Sequence, residues 1–175
     1  EEEKARLDKE ITKVEEELAK TSDPVEKAKL EEKREELIHK KDKVLEEQKA
    51  GLEEEITKVE ATLCETSDPA EEAELEKKRE ELIHEKDKVL EEEKDGLDKE
   101  VRKVDEELAE TTDPTEKAEL EKKREELILK KDNVIEDQKA DLEKEITKVE
   151  AELAETSDPA EKAELETKRE ELMQE

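Results

Sequence analysis

The four-residue phrase Thr-Ser-Asp-Pro stands at 21–24, 66–69 and 156–159, and Thr-Thr-Asp-Pro at 111–114, so the chain returns to the same words every 45 residues. Alignment on Leu7, Leu52, Leu97 and Leu142 extends the repeat to the whole sequence. Residues 7–51 and 52–96 agree at 32 of 45 positions, and most differences exchange charged or small residues. The 175 residues therefore divide into one array: repeats 7–51, 52–96 and 97–141, and a partial fourth copy at 142–175. Such a period marks a chain that folds by stacking like units, each resting on its neighbours. Because no copy is specialised, the pattern points to a set spacing or to many equivalent surfaces rather than to a single reactive centre.

Charged residues make up 56% of the chain and apolar residues 29%, with no Phe, Tyr or Trp, which excludes a thick globular core. Low hydrophobicity with a net charge of −28 would ordinarily suggest disorder. Here the apolar residues are periodic and the charged ones are mostly Glu and Lys, which favour helix. Every repeat is acidic, so nucleic acid and anionic membrane surfaces are repelled and are not expected as partners. The partners expected are proteins, basic or filamentous. No segment approaches the roughly 20 apolar residues of a membrane span, and no hydrophobic signal segment opens the chain. A cytoplasmic, cytoskeletal setting is expected, with an extracellular surface as the second placing. Glu1 matches Glu46 and Glu175 matches Lys130, so the sequence reads as part of a longer array.

Each Asp-Pro predicts a helix start. The Asp23 carboxylate can accept from otherwise unpaired amides, and Pro24 sits in the first turn, where no amide donor is needed. Glu26 is placed to complete a capping box, and the trio returns as Asp68-Pro69-Glu71, Asp113-Pro114-Glu116 and Asp158-Pro159-Glu161. Proline also pushes the preceding residue out of helical conformation, so each phrase breaks the helix. Helices are predicted over 24–64, 69–109 and 114–154. Gly51, Gly96, Asp141 and Arg6 share the mid-helix position. Since Arg6 gains nothing from a left-handed conformation, a continuous helix is expected there; an α-solenoid with two helices per repeat is the alternative.

Leu52, Ile56, Val59 and Leu63 follow the 4, 3, 4 spacing of a stripe that packs on a partner helix. Leu82-Ile83 and Val89-Leu90 widen that stripe enough to touch two neighbours. Corners of two or three residues reverse the chain. Folding about Ser67 sets Leu63 near Leu75 and Ile56 near Leu82. A rod running straight on would place stripes 45 residues apart about 12.5 turns on, facing opposite sides. The fold class expected is therefore all-α: an elongated tandem array of long antiparallel helices, bundle-like, with a homo-oligomer through the apolar seams as a further expectation.

Arg34, Arg79, Arg124 and Arg169 interrupt the apolar spacing in a repeated Arg-Glu-Glu-Leu. Their expected role is structural, the stem covering the seam while the guanidinium pairs across it and helps set register. His39 and His84, where the third copy has Leu129, are read as facing a neighbouring helix. Two histidines 45 residues apart make no metal site, and no loop carries calcium-ligand spacing. Cys64 replaces Ala19, Ala109 and Ala154 and is read as a small helix residue, since Glu60 and Glu65 disfavour a thiolate. Ile-Thr-Lys-Val at 11–14, 56–59 and 146–149, with Val-Arg-Lys-Val at 101–104, reads as core flanked by surface. No glycine-rich phosphate loop or Ser–His–Asp arrangement is present. No catalytic, cofactor-binding or metal residue is assigned, no cofactor is expected, and the chain is read as a non-enzyme.

In period, helicity and charge the chain resembles the tandem-repeat helical rods of cytoskeletal proteins, and in its near-identical copies the repetitive antigens of protozoan parasites. Spectrin-like rods share the folding back of long helices, but this sequence has a 45-residue period and no tryptophan. The resemblance implies a structural spacer or scaffold, with a multivalent protein-binding array or an exposed repetitive antigen as alternatives.

Overall fold

The computed structural model describes residues 2–174. Five helices follow one another: α1 (Glu2–Lys20), α2 (Pro24–Glu65), α3 (Pro69–Glu110), α4 (Pro114–Glu155) and α5 (Pro159–Leu172). Three of them have 42 residues, about 63 Å at 1.5 Å per residue. Observed starts coincide with the predicted prolines, and ends lie one residue beyond the predicted positions.

The corners explain those boundaries. Thr66 and Thr156 end their helices in extended conformation, at φ −78°, ψ 149° and φ −72°, ψ 141°. Asp23, Asp113 and Asp158 are extended as well, with ψ between 120° and 125°, as a residue before proline must be. Their carboxylates accept from the amides two residues on, at 2.8 Å in each case, and Asp68 does the same at 2.9 Å. The capping box is corrected: among the described residues none of Glu26, Glu71, Glu116 and Glu161 returns to its N-cap amide. Glu71 does not return to its own N-cap amide but accepts from the Thr66 hydroxyl at 2.8 Å, and Glu161 likewise from Thr156. A longer reach thus ties the start of one helix to the end of the helix before it.

No residue in the described chain has a positive φ. α2 runs unbroken through Gly51, α3 through Gly96 and α4 through Asp141, so the alternative of two helices per repeat is not what forms. Neither glycine serves a close approach, since nothing lies within 4 Å of a Cβ built there.

The chain divides into two compact units, 1–93 and 94–175, with α3 contributing to both. In the first, Leu7 and Val14 of α1 and Leu37 of α2 form a buried cluster, with Ile11, Leu18, Leu30 and Val44 packed against it. This is the pairing that reversal predicts: the 4, 3, 4 stripe of a copy, before its corner, meets the seven-spaced row of the same copy, after it. In the second unit, Val104, Val134 and Val149 are buried. The last valine of the Ile-Thr-Lys-Val phrase, Val-Arg-Lys-Val in the third copy, is buried in every copy, at Val14, Val59, Val104 and Val149, between 1% and 5% exposed, so its role as core holds in all four.

Candidate functional site

The feature that recurs through the structure is a ladder of charge pairs crossing each helix–helix seam. Arg34 donates through Nε to Glu15 of the preceding helix at 2.8 Å, Arg79 to Glu60 at 2.8 Å, Arg124 to Asp105 at 2.6 Å and Arg169 to Glu150 at 2.7 Å. Seven residues on, two helical turns along the same face, a lysine makes a second rung. Lys41 meets Asp8 at 2.7 Å, Lys86 meets Glu53 at 2.9 Å and Lys131 meets Asp98 at 2.5 Å. The acids are also seven apart and run the opposite way, so the rungs fix antiparallel directions for α1 with α2 and α2 with α3 in unit 1, and for α3 with α4 in unit 2. The rungs of the second corner are centred between Pro69 and Ala70, just past Ser67.

The arginines do what their repetition suggested. Arg34 and Arg79 are buried at 6% and 7%, their stems lying in the seam while their heads reach half-exposed carboxylates. No family model, curated protein or solved structure matches the chain. The geometry of the ladder is that of a register device: arginine rungs join residues 19 apart and lysine rungs residues 33 apart, and a slip of the seam would separate both sets of partners.

A three-helix node closes the first unit. Glu92 of α3 takes Lys4 of α1 at 2.7 Å and Lys41 of α2 at 2.9 Å, while Lys41 also holds Asp8. Burial works against the Lys41 ammonium, but hydrogen bonds to Asp8 and Glu92, together with their charge, outweigh it and raise its pKa above the usual lysine value. Burial likewise opposes ionisation of Glu92, yet the two lysines hold its carboxyl below the ordinary range. The hydrogen bond from Lys131 lowers Asp98, and backbone amides of Glu116 and Thr115 lower Asp113 at its cap.

Sequence reasoning found the arginine rung but missed the lysine rung and the node. The available signal was an acid at 8, 53 and 98, one heptad before the acids at 15, 60 and 105, matched by lysine one heptad after each arginine. His39 and His84 are corrected: both are exposed, and Leu129 at the same position is 63% exposed. Leu37 faces the seam, and two further residues carry the backbone about 200° around the helix, so position 39 points to solvent. Cys64 is exposed in the last turn of α2. Among the described residues no group of three or more His, Cys, Asp or Glu is arranged to hold a metal ion. Among the same residues no helix is long and apolar enough to cross a membrane.

Proposed function

We propose that the chain is a structural spacer or scaffold, associated with the cytoskeleton, in which similar helices are joined by similar corners and locked in register by the charge ladder. The observation that carries this reading is the recurrence of the arginine rung at all four corners, with donor and acceptor always 19 residues apart. A device repeated at the same spacing in every copy serves an object whose units all play the same part. That part is rigid placement, because a packed antiparallel pair has one relative position, whereas a flexible linker of equal length has many.

The geometry also sets the scale. Since the chain reverses at each corner, a following helix lies alongside its predecessor at the usual interaxial distance of about 8–10 Å and does not extend it end to end. A straight rod would grow by about 63 Å per copy at the helical rise. Small-angle scattering on arrays of increasing copy number tests this directly. A constant increment per copy, well below the straight-rod value, supports a spacer of fixed geometry, and a radius of gyration that spreads as a flexible coil defeats it.

A second reading has its own observation. Glu36, Glu81, Glu126 and Glu171 are exposed in all four copies, 45 residues apart. Carboxylates repeated at one interval suit a multivalent array for a basic protein partner, gaining avidity with copy number. Retention of a basic partner by one copy as strongly as by four would remove this reading.

A further inference from the structure

A row of exposed charge runs along one face of each long helix, and the seams make no use of it. On α2 it comprises Glu26, Lys29, Lys33, Glu36, Lys40 and Lys43. On α3 the same repeat positions hold Glu71, Glu74, Lys78, Glu81, Glu85 and Lys88, and all twelve residues are exposed. Spacings of 3, 4, 3, 4 and 3 keep each row on one side of its helix, within about 100°. α4 presents the equivalent residues from Glu116 to Asn133 in the same way, with only Lys123 half-buried, so the row is open because of its place in the repeat and not because of its place in the chain. Among the described residues, the ion pairs made by the α2 and α3 rows are Lys43 with Glu47 and Glu81 with Lys77, each at 3.7 Å on its own helix.

The two rows differ at two positions only, and there the charge is reversed: Lys29 and Lys40 of α2 stand where α3 has Glu74 and Glu85. Because the spacing reads the same from either end, rows laid antiparallel meet residue for residue. An α2 row against an α3 row then opposes Lys29 with Glu85, Lys40 with Glu74, Lys33 with Glu81 and Glu36 with Lys78, and closes at its ends with Glu26 on Lys88 and Lys43 on Glu71. Every opposition joins unlike charges. Two α2 rows would instead set Lys29 against Lys40, and two α3 rows Glu74 against Glu85. A parallel α2 and α3 would set Lys33 against Lys78 and Glu36 against Glu81, so like-charge repulsion selects one pairing and one direction. Both rows belong to the first unit, yet one chain cannot bring its own pair together. Arg79 on Glu60 and Lys86 on Glu53 lay the first half of α3 along the second half of α2, which sets the α3 row roughly 38 Å along α2 from the α2 row.

We propose that the α2 charge row of one chain docks antiparallel on the α3 charge row of a second copy of this chain, with Lys29 and Lys40 choosing α3 over another α2. The occupant follows from charge complementarity, since the α3 row carries the opposing charge at all six places. The two rows are different surfaces, so the contact is heterologous and is not confined to a dimer. Exposed ion pairs are individually weak, and the net charge of −28 on every chain opposes approach, so the association is modest and has a salt optimum. Near 0.15 M the Debye length of about 8 Å screens the distant charges and leaves the opposed pairs, whereas at 1 M a length of about 3 Å weakens the pairs as well. Docking is separable from the spacer reading, because a monomeric chain with a constant scattering step would end this proposal and leave that one standing.

Complementary charge swaps, followed by sedimentation velocity of the 175-residue chain from micromolar to near-millimolar concentration, are the test. The mean mass of the unsubstituted chain should rise above that of one copy as concentration increases. A chain carrying Lys29→Glu with Lys40→Glu, or one carrying Glu74→Lys with Glu85→Lys, opposes like charges at both selecting places and should associate about tenfold more weakly. All four residues are exposed, so helical circular dichroism should be unchanged in both variants. Mixing the two variants in equal amounts sets glutamate rows against lysine rows again and should restore the association of the original. A constant monomer mass for the unsubstituted chain, a variant that assembles as the original does, or a mixture no stronger than its components would each overturn the proposal.

Discussion

Arg79 and Arg124 make the same bond in two settings, which allows burial to be separated from distance. Replacing arginine by methionine keeps much of the stem in the seam and removes the guanidinium. The Arg79–Glu60 bond is 2.8 Å long with the arginine side chain 8% exposed, and Arg124–Asp105 is shorter, 2.6 Å, with the arginine 41% exposed. A hydrogen bond to a charged group contributes about 1.5–3 kcal/mol net. Glu60 is 47% exposed and regains water when its partner is removed, which reduces the expected coupling to about 1–2 kcal/mol. Arg124 and Asp105 are both open to solvent and fall in the surface range of about 0.2–1 kcal/mol. The longer bond is therefore expected to be the stronger.

The assay is a pair of double-mutant cycles, Arg79→Met with Glu60→Gln and Arg124→Met with Asp105→Asn. Native-state hydrogen exchange should read them, because stacked repeats open in parts and a single unfolding free energy does not describe the chain. At about 1 M salt, where the Debye length is about 3 Å, the Arg124 coupling should disappear while most of the Arg79 coupling persists. Equal couplings, or a larger one at Arg124, would refute the idea that burial of the stem controls the ladder.

Gly51→Ala and Gly96→Ala should each stabilise by about 0.5–1 kcal/mol, since both glycines sit inside helices with nothing within 4 Å of the added Cβ; slower amide exchange in α2 and α3 would show it. Asp68→Ala should cost about 1 kcal/mol through the cap, measured as faster exchange in the first turn of α3, and Asp68→Ala with Pro69→Ala should fuse α2 and α3 into a longer particle by scattering. Stability should fall on acidification. Glu92 and Asp98 are held below their ordinary range, so their contribution is full above that range and is lost as pH falls through the lowered values; Glu92→Gln should make the acid decline in thermal melting shallower. Lys41 is raised, so its contribution is full below the ordinary lysine range and is lost only as pH climbs through the raised value.

What could be read from residues alone follows how few candidates compete for each role. Proline has four occurrences, each with an aspartate before it, and backbone chemistry gives such a pair one use; helix starts therefore fell on the predicted residues. Apolar residues are scarce enough that Val14, Val59, Val104 and Val149 could be assigned to the core by spacing. Arginine is scarce too, and its intrusion into an apolar row marked it as a seam residue. Carboxylates are the opposite case. Glu15, Glu16 and Glu17 stand side by side before the first corner, and only the angular position of each, about 100° from the next, decides that Glu15 meets Arg34. The same degeneracy hid the lysine rung and Glu92, whose role depends on a third helix and so on no local pattern at all. Burial of Arg34 but not Arg124 carries this to its limit, for the surrounding sequence is nearly the same and the cover is not. In a chain of near-identical words, the information that distinguishes one site from another lies in which neighbours arrive.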